Sequence, residues 1–172
     1  MSAVATGPTW LSWPRAALPL PDDTCDVALA PHMLYHVPDP QAAVRELRRI
    51  TRPGGQVLVV LNGEDHLREL RDAMSAAPAG SSARGGAALG ERLRLDDGAE
   101  LLAAHFRSVT RHDFTGELLI PGPAPVEDYL RSMITAQGAA DPEDLVAAVT
   151  RLVPRDAGLI RIRTHSGCLV CT

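Results

Sequence analysis

The chain has 172 residues, of which 45% are hydrophobic and 22% charged, and its net charge is −4. This is an ordinary globular composition for one domain, and the acidic balance argues against a nucleic-acid partner. All 17 basic residues are arginine, which excludes chemistry that needs a Schiff-base lysine, a phosphate-loop lysine or a lysine general base.

The sequence also bears on location. No stretch approaches the ~20 apolar residues of a membrane-spanning helix, so we expect no membrane partner. No basic head followed by an apolar run precedes Arg15, which argues against a secretory signal. Three cysteines are too few for a disulfide framework. We therefore expect a cytoplasmic protein.

The first half of the chain predicts a strand, a helix and a second strand. Residues 1–17 show no period and stay unassigned. Residues 25–30 form an apolar run whose only charge is Asp26, which indicates a strand covered on both faces. Asp39 before Pro40 starts a helix that continues through Thr51, and Pro53-Gly54-Gly55 ends it. The apolar run 57–61 is a second strand, so the unit is a parallel βαβ crossover.

The second half predicts antiparallel strands with helices inserted between them. Helical spacing covers residues 64–74, and residues 76–90 are rich in Ala, Gly and Ser, as in a flexible connection. Further helices are expected at 97–105 and 126–136, and after Asp141-Pro142; strands are expected at 106–114, 117–120 and 159–164. His165-Ser166-Gly167 is interpreted as a turn, with residues 168–171 pairing back as a hairpin.

An ordered series of short motifs over residues 18–62 resembles a known family. It comprises Leu18-Pro19-Leu20-Pro21-Asp22-Asp23, Asp26-Val27-Ala28-Leu29-Ala30, His32-Met33-Leu34-Tyr35-His36-Val37-Pro38-Asp39, a helix ending in Arg52-Pro53-Gly54-Gly55, and a strand at 57–61. In this order they resemble the middle of a class I S-adenosylmethionine-dependent methyltransferase.

The resemblance implies an α/β fold with a Rossmann-like methyltransferase sheet. Strands four to seven are expected in the order 4-5-7-6, with helices on both faces. Residues 18–172 would then be a partial domain in which the helix at 124–137 is similar to a substrate cap. The implied cofactor is S-adenosylmethionine, and the implied reaction transfers a methyl group to an oxygen or nitrogen atom of a small molecule.

The chain lacks the motifs with which the family binds its cofactor. The glycine-rich loop and the acidic residue that holds the ribose have no counterpart, because the motifs begin at residue 18. Pro14 stands where an aspartate-alanine step would hold the adenine. We therefore expect the C-terminal half of the domain, with strand 25–30 as an exposed edge open to self-association or a partner. A truncated, non-catalytic half-domain is the alternative to an enzyme.

The resemblance implies six site residues. His36 is the candidate general base and Tyr35 the candidate group that orients the methyl acceptor. Leu18, Ala30, Pro31 and His32 occupy the positions that would contact the cofactor. Two alternatives stay open here, since His36 could simply bond to backbone and Tyr35 could pack in the core.

Other polar clusters have plainer interpretations. His32 and His36 lie four residues apart, but the spacing lacks the glutamate and third ligand of a zinc site, so no metal is expected. Cys168 and Cys171 are either a redox or zinc half-site or two buried small hydrophobic residues. The arginines of the first helix either bind phosphate or form a solvated face, and Asp22-Asp23 is either a carboxylate pair or a turn.

Overall fold

The computed structural model describes residues 17–77, 93–136 and 143–172. The described residues form five strands and five α-helices. The strands are β1 (Cys25–Pro31), β2 (Thr51–Asn62), β3 (Val109–Pro121), β4 (Arg155–Asp156) and β5 (Leu159–Cys171). The helices are α1 (Pro40–Ile50), α2 (Arg68–Ala76), α3 (Leu95–Ala103), α4 (Ala124–Ala136) and α5 (Glu143–Leu152). Within these ranges no helix is long and apolar enough to cross a membrane.

The strands form one mixed sheet in the order β1-β2-β5-β3, with the short β4 also paired to β5. β1 and β2 are parallel, and β5 is antiparallel to both β2 and β3. The predicted order 4-5-7-6 is thereby confirmed, with β1, β2, β3 and β5 as strands four, five, six and seven. Among the described residues, β1 pairs only with β2, so its other edge carries no strand.

The βαβ unit forms for the reasons visible in the sequence. The Asp39 carboxylate accepts a hydrogen bond from the Ala42 N–H at 2.9 Å and caps α1, while Pro40 occupies the first helical position. The buried residues of α1 pack against the sheet, and they are Ala43, Val44, Leu47 and Ile50. The helix ends at Ile50, and the chain is already extended at Thr51.

Pro53-Gly54-Gly55 therefore lies inside the first part of β2 and does not end the helix. The pairing of β1 with β2 shifts register between Cys25 and Val27, opposite this segment. Gly54 has a φ of 82°, which favours glycine, and a Cβ on Gly55 would lie 2.7 Å from the Asp26 carbonyl oxygen. The two glycines thus allow the irregular backbone at the start of β2. The sequence rules that place glycine after a helix do not predict this role.

The hairpin predicted at the C-terminus is wrong. β5 runs without a turn for 13 residues, and His165-Ser166-Gly167 is regular strand. Gly167 pairs with Leu61 on one side and Asp113 on the other. Glycine is needed there because a Cβ would lie 2.3 Å from Leu95 Cδ2, so α3 packs directly on the strand backbone.

Other boundaries move by a few residues. The expected helices at 64–74, 97–105 and 126–136 are observed as α2, α3 and α4, and the two strands expected at 106–120 are the single strand β3.

The strand at 25–30 was expected to be covered on both faces, but β1 is buried on only one face. Val27 and Leu29 on its other face are 49% and 65% exposed. Residues 1–16, Asp141-Pro142, residue 137 and most of the connection 76–90 lie outside the described residues.

The helices cover both faces of the sheet, as predicted. One buried cluster joins α1 and α3 to Ala30, Val59 and Leu169. The other joins α2, α4 and α5 to Ile160 and Ile162 of β5. Because neighbouring strand residues point to opposite faces, even-numbered Ile160 and Ile162 face the second cluster while odd-numbered Leu169 faces the first.

Gly167→Ala is expected to lower the free energy of unfolding by about 1–3 kcal/mol, because the added methyl group overpacks the fully buried Leu95. Chemical denaturation measures the loss. Gly116→Ala is the matched control, since its Cβ would meet only the Thr164 hydroxyl at 3.1 Å on an exposed strand. A change within about 0.5 kcal/mol is expected for this control. Equal losses in the two variants would contradict the packing of α3 on Gly167.

Candidate functional site

The segment after β1 forms the first wall of the site. His32 adopts a left-handed conformation with φ of 51°, and its N–H donates to the Val60 carbonyl at 2.9 Å. This turns the chain away from the sheet into a short 3-10 helix at Leu34–His36, anchored by the fully buried Leu34. The Tyr35 ring contacts two histidine rings, with centroids 6.4 Å from His32 and 4.6 Å from His36.

The segment after β2 forms the second wall. The Gly63 N–H donates to the His165 carbonyl at 2.9 Å, and a Cβ on Gly63 would lie 2.1 Å from His165 Nδ1. Any larger residue at this exit from the strand would therefore force the His165 ring to move. Leu67, with φ of 52°, donates its N–H to the Arg163 carbonyl and begins α2. Both turns hold the loop between β2 and α2 against β5.

A cavity of about 220 Å³ lies between these two segments and helix α4. It opens beyond the carboxyl ends of the parallel strands β1 and β2, where ligands of open α/β sheets bind. Apolar side chains from α2 and α4 form much of its wall, and polar groups from both loops complete it. The lining residues are Tyr35, His36, Asn62, Gly63, His66, Leu67, Leu70, Arg71, Met74, Leu93, Arg94, Tyr129 and Met133.

The two residues predicted to act on the acceptor, Tyr35 and His36, both line this cavity. The structure places the predicted cofactor residues elsewhere. Pro31 and His32 are exposed at the end of β1, and Ala30 is fully buried in the first core cluster. Leu18 packs on that cluster, and its N–H donates to Glu46 Oε2 at 2.9 Å.

Four polar lining residues were not predicted from the sequence: Asn62, His66, Arg71 and Arg94. The sequence pattern could have identified Asn62, because it is the first polar residue after the apolar run of β2 and so lies at the carboxyl end of a parallel strand. No sequence pattern identifies His66, Arg71 or Arg94. Their positions in the cavity wall depend on the path of the loop after β2 and on the packing of α3.

His66 is held as a neutral side chain. Its Nδ1 accepts a hydrogen bond from the His165 N–H at 3.2 Å, which places the ring proton on Nε2. Burial lowers the pKa of His66 below its ordinary value of 6.5, and the charges of His32 and Arg71 lower the pKa further. His66 can therefore donate a hydrogen bond from Nε2 at neutral pH.

The other polar clusters take the plainer interpretations. Arg49 bonds to Glu46, to Asp22 and to the carbonyls of Leu18 and Leu20, so it fastens the approach to β1. Its partner Asp22 is thus a structural anion. Arg45 and Arg52 also face carboxylates, those of Asp39 and Asp26.

Cys168 and Cys171 are free thiols three residues apart on one strand, hence on opposite faces. Burial raises the pKa of the Cys171 thiol to about 12, so this thiol is protonated at neutral pH. In the part of the chain that the structure describes, no three His, Cys, Asp or Glu side chains come together as metal ligands.

Comparison with known proteins identifies relatives that match part of the chain. The family described as "Methyltransferase domain" matches residues 8–59, beginning ten residues before Leu18. The malonyl-[acyl-carrier protein] O-methyltransferase of Halorhodospira halophila is 38% identical over 81 residues, which is 44% of this chain and 27% of that protein. The 23S rRNA (guanine(748)-N(1))-methyltransferase of Streptomyces fradiae is 37% identical over 89 residues, which is 46% of this chain and 28% of that protein.

The matched regions cover between 14% and 28% of the lengths of the curated relatives. Among solved structures, a protein assigned as a methyltransferase from an antibiotic biosynthesis pathway of Anabaena variabilis superposes with a TM-score of 0.54. It is 18% identical, and the match covers 91% of this chain and 70% of that chain. This similarity extends the shared fold beyond the residues matched in sequence, over 91% of the chain.

The state of His66 predicts how stability changes with pH. Its pKa is lower in the folded chain than in the unfolded chain, so the unfolded chain takes up a proton first as the pH falls. The free energy of unfolding should therefore decrease as the pH falls from about 6.5, the ordinary value, towards the lowered pKa.

Chemical denaturation between pH 7.5 and 5 measures this decrease, with the pH range set around the ordinary histidine pKa of about 6.5. His66→Gln should flatten the decline, because the variant has no group to titrate there. His112→Gln, which removes an exposed histidine of β3, should keep the decline of the unmodified chain. An unchanged slope in His66→Gln would contradict a neutral, half-buried His66.

Proposed function

The chain is related to the class I methyltransferases by its sequence and its fold, and from this we propose that it transfers a methyl group from S-adenosylmethionine to an oxygen or nitrogen atom of a small molecule. The observation that carries the proposal is the cavity at the carboxyl ends of β1 and β2, with Tyr35 and His36 in its wall. The two curated relatives named above methylate an oxygen and a nitrogen atom, which supports leaving both acceptor atoms open.

In this proposal the cofactor supplies the methyl group on a sulfonium, and the residues of the chain position the acceptor and remove its proton. His36 Nδ1 or Nε2 takes the proton of the acceptor hydroxyl or amine as the methyl group arrives. The Tyr35 ring, in contact with the rings of His32 and His36, orients the acceptor.

The methionine end of the cofactor would lie at the exposed rim formed by Pro31 and His32. The left-handed turn at His32 leaves this rim open above β1, which fits a ligand that approaches the strand end. Ala30 is fully buried, so its contribution would come from its backbone, and Leu18 would support the rim from the approach to β1. The described residues supply one wall of such a site.

A small-molecule acceptor in the cytoplasm completes the proposal. The net charge of −4 and the pairing of Arg45, Arg49 and Arg52 with carboxylates leave little positive surface on α1 for a nucleic acid. The three cysteines are free thiols, which fits a reducing compartment.

Isothermal titration of the folded chain with S-adenosylmethionine tests the first step of the proposal. Heat of binding that saturates at or below millimolar cofactor is expected. Transfer of tritium from labelled cofactor to the small-molecule fraction of a cell extract then reports catalysis. Absence of binding at millimolar ligand would overturn the catalytic proposal for this chain.

His36→Gln should lower the transfer rate by about 10²–10⁴-fold with cofactor affinity unchanged, because the variant loses only the proton acceptor. His105→Gln is the matched control, since His105 bonds to Gln41 and lies outside the residues that line the cavity. Equal rates for His36→Gln and the unmodified chain would assign His36 a structural role.

A second candidate function rests on the edge of β1. This edge is without a strand among the described residues, and Val27 and Leu29 are 49% and 65% exposed beside it. Exposed apolar edges pair readily with other chains. The alternative is therefore a non-catalytic methyltransferase-like half-domain that assembles through β1. The proposed partner is a second copy of this chain.

Under this alternative, the chain sediments as a dimer at micromolar concentration, and Leu29→Lys returns it to a monomer by placing a charge on the pairing edge. Sedimentation velocity makes the measurement. Leu119→Lys, on the exposed outer strand β3, is the matched control and should remain a dimer. A cofactor-binding, monodisperse monomer would contradict the half-domain proposal.

A further inference from the structure

Arg71 differs from its neighbours by the way its guanidinium is held in the cavity wall. Its two terminal nitrogens donate to the backbone carbonyls of His66, at 3.0 Å, and Glu64. A guanidinium carries five N–H donors in a fixed plane, so these two bonds set its orientation and leave further donors. The group is therefore anchored without being saturated.

The charge of Arg71 has no close carboxylate. Among residues 17–77, 93–136 and 143–172, no Asp or Glu carboxylate forms an ion pair with its guanidinium within 4.0 Å. Glu64 pairs with Arg94, the second guanidinium of the wall. Asp65 and Asp72 pair with Arg68 on the outer side of α2.

This lack of a counter-ion is costly because Arg71 is half-buried. Burial lowers the pKa of Arg71 and the positive charge of Arg94 lowers it further, while the more distant carboxylates of Glu64, Asp72 and Asp65 partly offset both effects. A bound anion would give Arg71 a direct counter-ion and would take up the free N–H donors in charge-assisted hydrogen bonds.

The polar groups beside Arg71 also present donors. His66 accepts at Nδ1 and so carries its proton at Nε2. The Asn62 carbonyl oxygen accepts from the Ser166 hydroxyl at 3.4 Å, which leaves its NH₂ group as the free end. A guanidinium, an imidazole N–H and an amide NH₂ in one wall match the oxygen atoms of a carboxylate or phosphate.

Apolar and aromatic side chains form much of the remaining wall. Leu67, Leu70 and Met74 come from the start and body of α2, and Tyr129 and Met133 come from α4. We propose that this cavity binds an apolar molecule bearing a carboxylate or phosphate, with Arg71 holding the anion and His66 donating a second hydrogen bond. Calling this molecule the methyl acceptor rests on the proposed function, whereas anion binding itself does not.

The test measures binding of small anions and their neutral counterparts to the full chain without cofactor. The probes are benzoate with benzamide, and phenyl phosphate with phenol, titrated at low ionic strength by calorimetry. At least one anion should bind at least about tenfold more tightly than its neutral counterpart, the scale of one charge-assisted hydrogen bond. The stronger pair shows whether the site selects carboxylate or phosphate.

Arg71→Gln should remove this preference, while Arg68→Gln, the same change on the outer side of α2, should keep it. If Arg71→Gln fails to fold, His66→Gln is used instead and should weaken the anion while leaving the neutral probe unchanged. The proposal is overturned if neither anion is preferred by the unmodified chain, or if Arg68→Gln lowers the preference as much as Arg71→Gln.

S-adenosylhomocysteine identifies the source of the anion. This product carries its own carboxylate, so displacement of benzoate by S-adenosylhomocysteine would assign the subsite to the cofactor and overturn its assignment to an acceptor. Unchanged benzoate affinity with S-adenosylhomocysteine present supports the acceptor. Because the anion titrations need no cofactor, failure to bind S-adenosylmethionine would overturn only the proposed function.

Discussion

The continuous pairing of β5 is the interaction on which the rest of the structure depends. Its last six residues pair with β2 while its whole length pairs with β3, so a single strand connects the parallel unit to the antiparallel one. Ile160 and Leu169 lie on opposite faces of β5 and belong to the two separate buried clusters. Burying one such side chain stabilises a fold by about 1.5–3 kcal/mol, so this strand couples the stability of both clusters.

The same strand positions the candidate site. The carbonyls of His165 and Arg163 accept the N–H groups of Gly63 and Leu67, which bends the chain after β2 towards the cavity. The loop after β1 comes from the opposite side, directed by the turn at His32. The cavity therefore depends on backbone hydrogen bonds to β5, although none of the residues of β5 lines it.

The local rules succeeded where short-range chemistry decides the structure. Asp39 and Pro40 start α1 because a side-chain cap and a preset φ act within a few residues. The same rules failed at Gly167, where glycine serves the close approach of Leu95 rather than a turn. A glycine between polar and apolar residues fits both explanations, and the partner that distinguishes them is some 70 residues away in the chain.

The sequence by itself determined the βαβ unit, the sheet order through its family resemblance, and the placement of Tyr35 and His36 after a parallel strand. These follow from periodicity, capping and motif order, which are properties of neighbouring residues. Only the tertiary structure decided that β5 is one strand, that β1 exposes one apolar face, and that Arg71 and His66 share a cavity with His36. The charge balance around Arg71 depends on which carboxylates lie close to it in space. Electrostatic energy falls with spatial distance, and separation along the sequence does not give that distance.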